Sequence, residues 1–74
     1  MRIYTVYFSD DTKFNSRVPV NAWAADYVGK NKAGEIVHTY VVKDNYTAQM
    51  ERAFAAYPGM LRYEVAHARR EASR

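Results

Sequence analysis

A proline–glycine pair, Pro58-Gly59, interrupts the stretch from Asn45 to Arg74 and constrains the fold more than any other feature of the chain. Proline has no N–H to donate and its ring clashes with the preceding turn, so a helix arriving from the N-terminal side must end near Tyr57. Upstream of this break, Tyr46, Met50, Ala53, Phe54 and Tyr57 fall at i, i+4, i+7, i+8 and i+11, one face of a 3.6-residue period. Asp44 and Asn45 precede it as candidate N-caps, able to accept the free amide groups of the first turn. Downstream, proline suits the first turn of a second helix. The expected second helix, about Met60 to Ser73, has Leu61, Val65, Ala68 and Ala72 as its apolar face.

The segments ahead of the helices read as strands. Residues 2 to 8, Arg-Ile-Tyr-Thr-Val-Tyr-Phe, are β-branched and aromatic, and Ser9 to Thr12 is turn chemistry. Lys13 to Val18 alternates, with Phe14, Ser16 and Val18 on one face and Lys13, Asn15 and Arg17 on the other. The two runs imply a β-hairpin whose loop length sets its register. A two- or four-residue loop puts Ile3, Thr5 and Tyr7 on the core side. A three-residue loop buries Tyr4, Val6 and Phe8 and leaves Thr5 and Tyr7 outside with Lys13, Asn15 and Arg17. The second arrangement separates polar from apolar better and is preferred.

Residues 21 to 29 admit two readings. Asn21 can cap a helix over Ala22 to Val28; alternatively Trp23, Ala25 and Tyr27 alternate along a strand that turns at Asn31 to Gly34. Gly29 favours the strand. Glu35 to Lys43 is the clearest strand, apolar on both faces, as befits a central position. The expected fold is a single α+β domain spanning residues 1–74. It is an antiparallel sheet of three to four strands, hairpin first, covered by a C-terminal pair of helices.

Chemistry is scarce. With 74 residues and no cysteine, the chain has neither a disulfide framework nor a thiolate metal site, and its small core encloses little volume. Gly29, Gly34 and Gly59 are isolated and form no phosphate loop. Asp10 and Asp11 are turn formers, and His38 and His67 lack ligand-like spacing. No apolar run reaches the ~20 residues of a membrane helix. A non-enzymatic, cytoplasmic protein without metal or cofactor is expected.

Binding is the remaining class. Seven tyrosines accompany a modest net charge of +3, and tyrosine supplies contact area at little entropic cost. Tyr7, Lys13, Asn15 and Arg17 form a candidate protein-binding face. A second candidate site, for nucleic acid, is the helical stripe Tyr63, His67, Arg70 and Arg74. A small core also gains from self-association, so monomer and homodimer are both compatible with the chain.

Two stretches carry a family resemblance. Val6-Tyr7-Phe8-Ser9-Asp10-Asp11-Thr12-Lys13-Phe14-Asn15-Ser16-Arg17-Val18 resembles the hairpin of a small phage-encoded anti-CRISPR family directed against type I-F systems. The tail is similar too: a polar cap, a helix ending at Tyr57-Pro58-Gly59, Leu61 and an arginine-rich end at Arg69-Arg70. The resemblance spans about half the chain; the family's additional N-terminal strand has no counterpart here, nor do residues 19 to 33. It implies an antiparallel sheet backed by two helices. It also implies a protein partner, the CRISPR-Cas surveillance complex, whose target-DNA recognition would be blocked. By motif, the family's exposed sheet tyrosine falls on Tyr7.

Overall fold

The structure, a computed structural model, describes residues 1–9 and 18–67. Its frame is a four-stranded antiparallel sheet in the order β2-β3-β1-β4. The strands are β1 (Arg2–Phe8), β2 (Trp23–Lys30), β3 (Ile36–Val42) and β4 (Met60–His67). One α-helix, α1 (Thr47–Ala56), follows β3 through a single 3-10 turn, Asp44–Tyr46.

β1 is bonded along both edges. Tyr4 pairs with Tyr40 of β3 on one side and Val65 of β4 on the other, and Val6 pairs with His38 and Tyr63. The expected hairpin between β1 and residues 13 to 18 therefore has no edge of β1 to occupy; residues 10–17 themselves lie outside the described residues. The buried row expected for β1 is present: Tyr4, Val6 and Phe8 are fully buried, while Thr5 and Tyr7 face the other way. What selects that row is packing against α1, since Met50 and Phe54, also fully buried, close over it. Val18 and Ala22 complete this side of the core.

The second correction concerns residues 60 to 67, expected as helix and found as strand β4. Arg62, Tyr63, Glu64 and Val65 alternate polar and apolar, a period-2 pattern that the 3.6-residue reading of Leu61 and Val65 obscured. As a strand this segment supplies ladder hydrogen bonds to β1, whose edge would otherwise be left unpaired. The C-terminal pair of helices is thus reduced to one helix, and the remaining tail, 68–74, lies outside the described residues.

The expected helix stop and apolar face are present, whereas Asp44 and Asn45, expected as N-caps, lie in the 3-10 turn ahead of the helix. Helix α1 stops at Ala56, Tyr57 is extended ahead of Pro58, and the Met60 amide donates to the Tyr57 carbonyl at 3.1 Å, closing a tight turn. Its apolar face is the one read from the sequence, with Tyr46 and Tyr57 packed at the margins of the core. The residue capping α1 is Tyr46, whose side chain makes no cap hydrogen bond. Because β3 and β4 both run antiparallel to β1, the β3-α1-β4 connection is a crossover with β1 set between its strands. That crossover carries α1 across β1, on the face of the Tyr4–Val6–Phe8 row.

Between Asn21 and Gly34 the strand reading is correct. After a 3-10 turn at Val20–Ala22, β2 pairs with β3 and the chain reverses at Asn31 to Gly34. Asn31 Oδ1 accepts from the amides of Ala33 and Glu35 at 3.1 and 2.9 Å. Gly34 takes φ +85°, a left-handed conformation that a side chain would strain. β2 is interrupted by a bulge at Val28, with Gly29 at φ +136°.

The core is aromatic. Tyr4, Tyr40 and Tyr63 surround Phe54 with ring centroids at 5.3, 5.4 and 5.4 Å. The Tyr4 hydroxyl donates to Glu51 Oε2 at 2.8 Å, and burial with this bond pushes its pKa to about 12. Burial likewise raises that of Tyr40. Because Phe54 is the helix's main anchor, Phe54→Ala should cost ~3–5 kcal/mol, a large fraction of the total stability of a domain this size. Urea unfolding followed by circular dichroism checks this, with the helix-surface variant Arg52→Ala expected within ~0.5 kcal/mol of the parent.

Candidate functional site

The strand registers place three rows of side chains across the face of the sheet opposite α1. The first is Ala24, Val41, Ile3 and Ala66, wholly apolar. The second is Asp26, Thr39, Thr5 and Glu64, with two threonines between two carboxylates. The third brings Val37, Tyr7 and Arg62 together beside the β2 bulge. Among the described residues no helix lies over these rows.

Tyr7 is the most connected of them. The Arg62 guanidinium stacks on its ring at 3.8 Å from the centroid, and its hydroxyl donates to Glu64 Oε1 at 3.4 Å. Arg62 is held in turn: its Nη1 donates to both carboxylate oxygens of Glu35, at 2.9 and 2.8 Å. Glu35 also accepts from Asn31 Nδ2 at 2.8 Å, so the chain of contacts ends in the β2–β3 turn. The bond from Asn31, followed by that from Arg62, holds the Glu35 carboxyl below its usual pKa; Glu35 in turn raises that of Arg62. A half-buried tyrosine is therefore fixed in one orientation by a turn 24 residues away in sequence.

The expected neighbours of Tyr7 fare differently. Lys13, Asn15 and Arg17 lie outside the described residues, as do Arg70 and Arg74. The neighbours found instead are Arg62 and Glu64, with Glu35 behind Arg62. Alternation of Arg62 and Glu64 about Tyr63 was the signal for both neighbours; Glu35 had none, because its approach to Arg62 depends on strand order. The nucleic-acid stripe loses its helix over 60–67. Tyr63 packs in the core against Tyr4 at 5.6 Å and Phe54 at 5.4 Å, and His67 ends β4.

The sign of the charge matters. Among the described residues the open rows carry Asp26, Glu64 and Arg62, with Glu35 and Lys32 in the adjoining β2–β3 turn and Lys43 just past the end of β3. The chain as a whole is formally +3. A phosphate backbone gains affinity from clustered lysine and arginine, and no basic stripe runs along these rows among the described residues. His38 sits on the opposite face among Phe8, Tyr27 and Tyr40, a packed position. Among the described residues the open groove between α1 and Val18 presents Gln49, Arg52 and Tyr57 but no acid–base pair. Among the described residues no three His, Asp or Glu side chains gather as a metal site, and no helix is long and apolar enough to cross a membrane.

No protein-family model, curated protein or solved structure matches this chain.

The Glu35 contacts predict a pH dependence. A carboxyl whose folded pKa is lowered adds stability above its unfolded value, about 4.5, and loses it as the pH falls through the folded value. Glu35→Gln should therefore be less stable than the parent at neutral pH, with the gap closing below that value. Thermal melts between pH 7 and pH 3 check this.

Proposed function

We propose that this protein works by binding another protein through the open face of its sheet, as a small inhibitor of a larger assembly. The observation that carries the reading is the continuity of the three rows. They form a flat surface of roughly 450 Å², from a ~4.8 Å strand spacing and strands of seven to eight residues. That is about half of what each partner contributes to a standard interface, so a bound partner would also reach the strand edges. Tyrosine and arginine are the side chains that most often dominate such contacts, and Tyr7 and Arg62 are already held in place, which lowers the entropy lost on binding.

The acidic ends of the middle row, Asp26 and Glu64, favour a partner surface bearing lysine or arginine. The resemblance supplies the partner class: a backbone subunit of a type I-F crRNA-guided surveillance complex, blocked from pairing with target DNA. The first motif supports this only through Tyr7, which lies on the open face, because the hairpin it implies has no edge of β1 to occupy. The tail motif supports it only as far as Tyr57-Pro58-Gly59, because a strand follows.

The test is co-migration of the purified protein with purified type I-F surveillance complex in size-exclusion chromatography, paired with a target-DNA binding assay. Thr5→Arg and Thr39→Arg, which raise bulky cations from the centre of the face, should each abolish both signals, whereas Arg52→Ala on the helix should leave them unchanged. Binding that survives both threonine variants would remove the sheet face. No co-migration of the unaltered protein would remove this partner class.

A further inference from the structure

β4 is an edge strand, and among the described residues nothing pairs with its outer side. An open edge presents unpaired backbone donors and acceptors, and proteins usually blunt it with bulges, prolines or lysines. The opposite edge, β2, is blunted in this way: a bulge at Val28 and Gly29 breaks its middle, and Lys30 ends it. β4 has neither proline nor lysine, and its one irregularity lies near its start, opposite Tyr7 and Phe8. It also exposes apolar surface, with Leu61 50% and Val65 42% accessible.

We propose that the protein forms a two-fold dimer by antiparallel pairing of β4 with β4 of a second copy, in the register centred on Tyr63. Symmetric pairing must continue each sheet face into its counterpart, so the two-fold axis has to pass through a residue position. Centred on Arg62 or on Glu64, it would set like charges directly against each other. Centred on Tyr63, it sets Arg62 against the partner's Glu64 and Glu64 against the partner's Arg62, two opposite-charge pairs on the open face. The same register opposes Leu61 to the partner's Val65, and Val65 to the partner's Leu61, covering the exposed apolar groups of this edge. Cross-strand pairs of both kinds are favourable.

Arg62 is equipped for a second carboxylate. Both of its bonds to Glu35 use Nη1, which leaves Nη2 and Nε without a bond among the described residues. Dimerisation would join the two sheets into one of eight strands, with both helices on one side and both open faces on the other. The inference does not depend on the partner proposed above.

Sedimentation velocity over a wide concentration range tests it. The unaltered protein should pass from monomer to dimer as concentration rises. Glu64→Arg, which leaves the Glu35–Arg62 contact in place, should weaken dimerisation at least ~10-fold by making both charge pairs repulsive. Exchanging the two, Arg62→Glu with Glu64→Arg, should restore the dimer. Val65→Lys, at an already exposed position, should give a folded monomer by circular dichroism. A parent that remains monomeric throughout overturns the proposal. So does a dimer indifferent to Glu64→Arg and Val65→Lys.

Discussion

Everything in this fold depends on β1 being hydrogen-bonded along both edges while its alternate side chains serve two different surfaces. Tyr4, Val6 and Phe8 are fully buried beneath α1. Thr5 and Tyr7, one residue out of phase, lie in the open rows. A strand in this position cannot slip by one residue without exposing the aromatic core and burying a threonine row, so the register is strongly specified. The order β2-β3-β1-β4 then follows from topology. The chain leaves β3, crosses β1 as helix α1 and returns on the far side as β4.

That crossover is also what makes the two faces unequal. A single ten-residue helix can shield one side of a four-stranded sheet but not both. The other side, which no helix covers among the described residues, carries the run of contacts from Asn31 through Glu35 and Arg62 to Tyr7. Such exposed contacts are individually weak. Their importance lies in order: they fix an aromatic ring and a guanidinium at one end of a flat polar and apolar surface. A surface organised before binding loses less entropy when a partner arrives.

The two sides of the sheet offer different surfaces. Among the described residues the groove beside α1 presents no paired acid and base. The open face joins an apolar row, a threonine row with acidic ends and an aromatic–cationic row within five residues of β1, Ile3 to Tyr7. Its middle row ends in two carboxylates, Asp26 and Glu64, on a chain that is formally +3 overall.

Local signals were enough for several elements: the amphipathic face of α1, the stop imposed by Pro58, the Asn31 to Gly34 reversal, and strands at residues 2 to 8 and 36 to 42. In each case the cause lies within a few residues, in periodicity, a missing donor or a turn-forming side chain. Two features were decided only by the tertiary structure. Residues 60 to 67 fit both a helical and an alternating pattern, and the vacant edge of β1 selected the strand. The neighbours of Tyr7 came from β4, with the β2–β3 turn holding Arg62 from behind, because backbone pairing joins segments whose separation in sequence carries no local signal. Side-chain period and turn chemistry belong to the sequence; which strand lies beside which is settled when competing edges are satisfied together.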